Sequence, residues 1–188
     1  SFYTNSGEPL MRLNKQNTHS IDRTGGTILG SSRTNPYSTK NEKGETVDQS
    51  SIVIKNIKKL GLDGLVAMGG DDTLGVAAKL SDDGMPTVGI PKTIDKDLAG
   101  TDYSIGFSTA VGILHRSINQ LRTPAGSHKW IHIVEAMGRH AGHLALAGGT
   151  AADADMILIP EYDFKIDRVI ELIHEQKKLG NEYHIIVV

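Results

Sequence analysis

The chain contains no cysteine among its 188 residues. Disulfides, zinc–thiolate sites and thiol nucleophiles are therefore excluded, and the composition fits a reducing cytoplasm. The net charge is only −2, so no strong electric field favours nucleic acid or an anionic membrane as a partner. No apolar run is long enough to span a membrane, and no secretory signal begins the sequence. We therefore expect a soluble, cytoplasmic globular protein with neither kind of partner.

Both ends of the sequence are unusual for a complete protein. It begins "SFYTNSGEPL" without an initiator Met, and it stops at "EYHIIVV", which has the pattern of a buried strand. We expect a fragment of a longer protein, so other segments would contribute to any site.

Strand and helix patterns alternate after a polar segment, residues 1–46, that we expect to form loops with a tight turn at 24–36. Strands are predicted at 64–68, 86–90, 131–136, 155–159 and 184–188. Helices are predicted at 50–61, 73–84, 138–149 and 167–180. A further helix is predicted from the helical spacing of five apolar residues, Phe107, Val111, Leu114, Ile118 and Leu121. This alternation predicts an α/β fold with a doubly wound parallel sheet and helices on both faces.

Polar motifs follow four of the predicted strands. They are "GGDDT" (69–73), "PKTIDKD" (91–97), "MGRHAG" (137–142) and "PEYD" (160–163). Ligands of open α/β sheets bind beyond the carboxyl ends of the strands. Four such motifs at one edge therefore predict a single site there.

The "GGDDT" motif combines a glycine turn with adjacent carboxylates. Its backbone N–H groups and the following helix N-terminus attract phosphate. Asp71 could hold an Mg²⁺ ion that bridges phosphate oxygens. The alternative is an ordinary helix start that Asp72 or Thr73 caps.

The "PKTIDKD" motif places several polar side chains in a segment expected to be extended. Alternate side chains of an extended segment share a face, so Thr93, Asp95 and Asp97 could point together into a cleft. A carboxylate there can accept the proton of an attacking hydroxyl. The alternative is a solvated turn in which Lys92 pairs with an aspartate.

Two arginines follow glycine turns and are candidates for binding anions. Arg139 is predicted at a helix start, where its guanidinium could clamp an anionic group. Arg33 could reach a phosphate, or could be an ordinary basic loop residue. His140 and His143 lack the HExxH spacing and are not expected to bind a metal. No P-loop motif is present, so a P-loop NTPase is not expected. The carboxylates and the cationic side chains together indicate phosphoryl transfer assisted by Mg²⁺ with an aspartate base.

Five segments in order along the chain, "GGTILGSSR", "GGDDTLG", "GIPKTIDKDLAGTDYSIGFSTAV", "VEAMGRHAG" and "ILIPE", resemble the phosphofructokinase family. The resemblance implies two doubly wound, three-layer α/β lobes with mostly parallel sheets, which this chain covers only in part. Residues 1–106 would belong to the lobe that binds the phosphoryl donor, and residues 107–188 to the lobe that binds the sugar phosphate. It also implies transfer of a phosphoryl group to the 1-hydroxyl of fructose 6-phosphate, giving fructose 1,6-bisphosphate in glycolysis, by a cytoplasmic homodimer or homotetramer.

The resemblance also implies roles for single residues. Asp95 matches the catalytic base, Thr93 and Ile94 line the sugar site, and Asp97 supports it. Asp71 matches the aspartate associated with Mg²⁺.

The remaining matches concern phosphate groups. Gly70 and Thr73 lie in the turn for the donor phosphates, and Arg33 matches a donor-phosphate arginine. The motif that matches the segment holding the sugar phosphate and the transferring group consists of Met137, Gly138 and Arg139.

Two positions bear on the donor. ATP-using members of the family typically have Gly at the position of Asp72, whereas pyrophosphate-using members have Asp there and Lys at the position of Lys92. Together with the matches given above, the resemblance implies four catalytic residues: Asp95, Asp72, Lys92 and Arg139. Pyrophosphate is the expected donor and ATP the alternative.

Two departures from the family pattern leave the sugar open. Lys96 replaces the Asn of "TIDND", and Trp130 stands where the family often has an Arg that reaches the sugar phosphate. Another sugar phosphate is therefore an alternative substrate. A non-catalytic regulatory relative is a further alternative, and the presence of Asp71, Asp95 and Arg139 argues against it.

Overall fold

The structure is a computed structural model that describes residues 11–138 and 140–188. The chain divides into two compact units. The first unit comprises the chain up to Met68 together with Asp72–Ile90, and the second comprises Gly69–Asp71 and Pro91–Val188. Across the described residues, no helix combines the length and apolar character needed to cross a membrane.

The first part of the chain, up to Pro91, forms short elements followed by a strand–helix–strand unit. Its helices are α1 (Lys15–Thr18), a 3-10 helix (Ile21–Arg23), α2 (Ser50–Lys59) and α3 (Asp71–Asp82). Its strands are β1 (Thr39–Lys40), β2 (Thr46–Val47), β3 (Leu65–Gly69) and β4 (Thr87–Pro91).

The expectation that the polar N-terminal segment forms only loops is wrong for its described part. Besides α1, β1 and β2 pair antiparallel, with Thr39 opposite Val47. Asn41 builds the turn between them, because its Oδ1 accepts hydrogen bonds from the backbone N–H groups of Lys43 and Glu45. A two-residue strand has too little periodicity to be predicted from the sequence.

β3 and β4 form a parallel pair. Leu65 N donates to Pro86 O at one end, and Lys92 N donates to Gly69 O at the other, each at 2.9 Å. The core of the first unit contains Val53, Ile57, Leu80 and Met85 from α2, α3 and the turn before β4.

Glycines end the two longer helices of this unit, and one helix begins earlier than predicted. Gly61 follows α2 with φ +66°, as predicted, and Gly84 follows α3 with φ +83°. α3 begins at Asp71 rather than Thr73, so Asp71 and Asp72 both lie in its first turn. Acidic residues are favourable there because they face the positive end of the helix dipole.

The second part of the chain folds around a parallel three-stranded sheet of order β5–β7–β6. Its strands are β5 (Ile131–Val134), β6 (Met156–Ile157) and β7 (His184–Val187). Its helices are α4 (Phe107–His128), α5 (His143–Ala151) and α6 (Ile166–Lys178). Each predicted strand of this part is present, although all three are shorter than predicted.

The core of the second unit lies where α4 and α5 meet the central strand β7. Ile118 of α4, Ala145 of α5, and Ile185 and Val187 of β7 form this core and are almost completely buried. The burial of Ile118, with Leu114 packed beside it, confirms part of the apolar face predicted for this helix.

Candidate active site

Two of the predicted motifs lie side by side at the carboxyl ends of β3 and β4. The hydrogen bond from Lys92 N to Gly69 O joins their first residues. Gly70 lies beside Thr93: a Cβ on Gly70 would lie 3.4 Å from the Thr93 Cβ, an ordinary van der Waals distance. Gly69 and Gly70 therefore lie beside Lys92 and Thr93 at the carboxyl ends of the two strands, which is where open α/β sheets bind ligands.

The first turn of α3 exposes the side chains of Asp71, Asp72 and Thr73. Asp71 falls within the second unit, and Asp72 and Thr73 fall within the first. The N–H groups and the dipole at the helix N-terminus attract an anion, whereas the two carboxylates oppose a bare phosphate. The turn can therefore accept a phosphate chain that arrives with a cation.

The segment after β4 is a bend, not an extended strand. Asp95 N donates to Thr93 Oγ1 at 3.1 Å, and Lys96 has a left-handed φ of +55°. The expected alternation of side chains from Thr93 through Asp97 is therefore wrong beyond Asp95. The cause is local, because the Thr93 hydroxyl forms a turn that competes with extended backbone.

A second segment, which contains Ser104 and Ile105, holds this bend by two hydrogen bonds. Ser104 Oγ donates to the carbonyl of Thr93 at 2.7 Å, and Ile105 N donates to Pro91 O at 2.9 Å. Asp95 is half-buried, whereas Lys92 and Asp97 are exposed. The bend thus holds a half-buried aspartate in a defined place, and a positioned carboxylate can accept a proton from a bound hydroxyl.

Ile94, the fourth residue of this segment, packs on the start of α4. A Cβ on Gly106 would lie 3.5 Å from Ile94 Cγ2. Gly106 has φ +108° and precedes the first residue of α4. The Ile94 side chain therefore contributes to holding the bend against the helix.

The described residues of the "MGRHAG" motif, 137–138 and 140–142, lie outside the helices, where the start of a helix was predicted. α5 begins at His143 instead of the predicted Gly138. Met137 is exposed, and Gly138 has φ +147°, with the carbonyl oxygen of Ala141 only 2.3 Å from where a Cβ would stand. The predicted role of Arg139 lies outside the described residues.

Glu161, from the "ILIPE" motif, has a contact that sequence reasoning missed. Its Oε1 accepts a hydrogen bond of 2.7 Å from Gly142 N, at the start of α5. This bond holds the pKa of Glu161 below its usual range. The available signal was the acidic residue directly after the fourth strand pattern, but its partner lies 19 residues away along the chain.

Arg33 is exposed and lies in the first unit, in a loop without helix or strand structure. The glycine turn that precedes it is present, closed by a hydrogen bond from Gly30 N to Thr27 O. The predicted contact of Arg33 with a donor phosphate stays a prediction.

Within residues 11–138 and 140–188, no group of three or more His, Cys, Asp or Glu side chains is placed to hold a metal ion. A single exposed carboxylate such as Asp71 fits Mg²⁺ nevertheless. This ion is commonly bound through one or two carboxylates, with water and substrate phosphates completing its shell.

An α/β unit with a glycine–aspartate turn beside a second acidic segment defines a candidate phosphoryl-transfer protein. The Phosphofructokinase family model matches residues 3–188, and the chain belongs to this family. The predicted family is thereby confirmed.

Relatives named for two phosphoryl donors match the chain. A pyrophosphate–fructose 6-phosphate 1-phosphotransferase of Dictyoglomus thermophilum is 47% identical over 178 residues, which cover 95% of this chain and 49% of that protein. One of Amycolatopsis methanolica is 51% identical, covering 87% and 46%. ATP-dependent 6-phosphofructokinase 2 of Clostridium perfringens is 41% identical, covering 95% and 50%. The chain spans about half the length of these curated relatives.

Solved structures confirm the predicted fold class. The pyrophosphate-dependent phosphofructokinase of Marinobacter aquaeolei matches with a TM-score of 0.73 at 25% identity, over 93% of this chain and 45% of that one. The T-state phosphofructokinase of Pichia pastoris also matches with a TM-score of 0.73, over 87% of this chain and 19% of that one. At 22% identity, the second match concerns the fold alone.

Proposed function

We propose that this chain carries the donor-selecting turn and the base of a pyrophosphate-dependent 6-phosphofructokinase. The reaction moves a phosphoryl group from pyrophosphate to the 1-hydroxyl of fructose 6-phosphate, giving fructose 1,6-bisphosphate, and it is reversible. The observation that carries the proposal is Asp72, a second carboxylate in the first turn of α3, directly after the "GGD" turn. The relatives named for pyrophosphate at 47–51% identity support this donor over ATP, whose named relatives are 41–42% identical.

Asp95 is the proposed base. Its backbone is fixed by the bond to Thr93 Oγ1, and its carboxylate takes the proton of the 1-hydroxyl while the sugar oxygen attacks the terminal phosphorus of the donor. The bond between that phosphorus and the bridging oxygen breaks, and phosphate leaves. An Mg²⁺ ion held by Asp71 would neutralise charge on the donor oxygens.

Ile94 and Asp97 complete the sugar side of the proposed site, and Met137, Gly138 and Arg139 bind the sugar phosphate. The proposed donor side consists of Arg33, Gly70, Asp71, Asp72, Thr73 and Lys92.

Asp72 selects the donor by repulsion in this proposal. ATP carries a phosphate beyond the two of pyrophosphate, and a carboxylate ~4 Å from that extra charge costs about 1 to 4 kcal/mol, depending on how far water screens the pair. That range corresponds to about 5- to 1000-fold in affinity. Lys92 adds positive charge for the small, highly charged pyrophosphate.

The donor assay tests this function. Turnover of fructose 6-phosphate is measured with Mg²⁺ and either pyrophosphate or ATP. It is measured on the 188-residue chain and on a chimera in which the chain replaces the matching segment of the Dictyoglomus relative. We expect pyrophosphate-dependent turnover, lost in Asp95→Ala. Turnover with ATP alone, or none in the chimera, would contradict the proposal.

Substitution of Asp72 tests whether its carboxylate selects pyrophosphate over ATP. In Asp72→Gly we expect the ratio of kcat/KM for ATP to that for pyrophosphate to rise by about 5-fold or more. Asp72→Asn is the matched control for charge, because it keeps the size of the side chain. Unchanged donor ratios in both variants would refute the role of Asp72.

The wider setting is part of the same proposal. Residues 1–106 belong to the lobe that binds the donor, and residues 107–188 belong to the lobe that binds the sugar phosphate. The enzyme works in glycolysis, in the cytoplasm, as a homodimer or homotetramer. Size-exclusion chromatography with light scattering on the chimera and its parent measures the assembly.

A further inference from the structure

The side chain of Lys96 lies against two aromatic rings. Its Nζ is 4.7 Å from the centre of the Tyr103 ring and 5.2 Å from that of Phe107. Both distances lie within the ~6 Å at which an ammonium is attracted to the face of a ring. Phe107 is buried at the start of α4, and Lys96 is half-buried between solvent and the rings. The second unit thus contains a cation clamped onto its own surface.

The backbone conformation of Lys96 indicates that this contact restrains the residue. Its φ of +55° is left-handed, a conformation that residues other than Gly, Asn and Asp adopt rarely because Cβ approaches the following carbonyl oxygen. Such a conformation persists where the surroundings hold it in place. The rings hold the side chain of the strained residue, which lies between the two aspartates of the bend.

The clamp acts together with two other contacts between the same segments. Ser104 Oγ binds Thr93 O, and Ile105 N binds Pro91 O. These two bonds fasten the bend before Asp95, and the Lys96 clamp fastens it directly after Asp95. The position of the Asp95 carboxylate is therefore set from both sides.

We propose that Lys96 is a positioning residue: its ammonium, held on the faces of Tyr103 and Phe107, fixes the bend that presents Asp95 to the substrate hydroxyl. This inference rests on the proposed function only in assigning the proton transfer to Asp95. The clamp itself rests on the contacts of the second unit. It differs from a role in which the Lys96 ammonium binds a substrate phosphate directly.

Hydrogen exchange of the backbone amides tests the clamp without any turnover. In Lys96→Met, which keeps the length of the side chain and removes its charge, the amides of residues 95–97 should exchange about 3- to 10-fold faster. Lys96→Arg keeps a cation that stacks on rings and should restore slow exchange. Tyr103→Leu should reproduce most of the effect, and adding Lys96→Met to it should change little more.

Lys129 offers a matched control. It also has a left-handed φ, +57°, and lies in the same unit, but its Nζ pairs with Glu182 at 2.6 Å. Lys129→Met should leave exchange at residues 95–97 unchanged. Equal exchange in wild type and Lys96→Met, or an equal effect of Lys129→Met, would overturn the clamp.

Kinetics of the chimera test the positioning role. We expect Lys96→Met to lower kcat by about 10-fold or more, because a small displacement of a base is costly, with KM for the sugar phosphate and the donor changed less than 2-fold. Lys96→Arg should recover most of kcat. A raised KM with unchanged kcat would overturn the proposal in favour of direct binding. An inactive wild-type chimera with the exchange pattern intact would refute the proposed function and leave the clamp standing.

Discussion

Gly148 in α5 lies so close to α4 that a single methyl group there should destabilise the second unit. A Cβ on Gly148 would meet three atoms of Leu114: Cδ2 at 2.4 Å, Cγ at 2.9 Å and Cβ at 3.1 Å. Carbon atoms rest comfortably at about 3.5–4.0 Å. A new rotamer of Leu114 can move Cδ2 and Cγ, but its Cβ is fixed to the backbone of α4. In Gly148→Ala the two helices must therefore separate.

Two opposing terms set the size of the effect. Overpacking a core costs about 1–3 kcal/mol, whereas replacing Gly by Ala inside a helix gains about 0.5–1 kcal/mol. The clash should win, because α4 and α5 bury the core residues Ile118 and Ala145 between them and the sheet. We expect a net loss of about 1–2 kcal/mol in the free energy of unfolding. For a chain of this size that lowers Tm by about 2–8 °C.

The chain provides its own probe and its own control for this measurement. Trp130 is the only tryptophan and belongs to the second unit, so its fluorescence during urea or thermal unfolding reports on that unit. Gly112, in α4, has no atom within 4 Å of where its Cβ would stand. Gly112→Ala should raise stability by about 0.5–1 kcal/mol. If Gly148→Ala were as stable as Gly112→Ala, the reasoning from close packing would fail.

Two further predictions concern hydrogen bonds of acidic groups. The hydrogen bond from Gly142 N lowers the pKa of Glu161, so the stability it contributes is present above the ordinary pKa of 4.5 and is lost as pH falls through the lowered value. The difference in unfolding free energy between wild type and Glu161→Gln, measured with urea, should therefore shrink below pH 4.5. A difference that does not change with pH would count against this hydrogen bond as the cause. Tyr37 Oη donates to Asp83 Oδ2 at 2.7 Å, and burial together with that carboxylate raises the pKa of Tyr37. Tyr37→Phe should therefore cost about 1 kcal/mol at pH 7, a cost that declines as pH rises above 10, and one that stayed the same at high pH would contradict this account.

Secondary structure that is determined by residues close together in the chain was predictable from the sequence. The Gly61 end of α2 and the apolar face of α4 are of this kind, since a glycine or a periodic row of side chains decides each. The start of α5 was not predictable, because Gly142 is capped by Glu161 from beyond the next strand. Helix propensity depends on the residues near a position, so it cannot indicate a hydrogen-bond partner 19 residues away.

The candidate site shows the same division. The placement of "GGDD" beside "PKTIDKD" follows from the order of parallel strands, which the β-α alternation indicates. The bend at Asp95 does not follow, because the Thr93 hydroxyl and the rings beneath Lys96 override the alternation of an extended segment.

Glycines that look alike in the two polar motifs serve different physical needs. In "MGRHAG", Gly138 and Gly142 are needed for packing: a Cβ would lie 2.3 Å from Ala141 O at the first, and 2.4 Å from Ile159 Cβ at the second. In "GGDD", Gly70 meets Thr93 only at ordinary contact distance and leads directly into a 12-residue helix, α3. The helix N-terminus therefore carries the case for phosphate binding at "GGDD". At "MGRHAG" the glycines are explained by packing, and the hypothesis of an anion site depends on the cationic side chain between them.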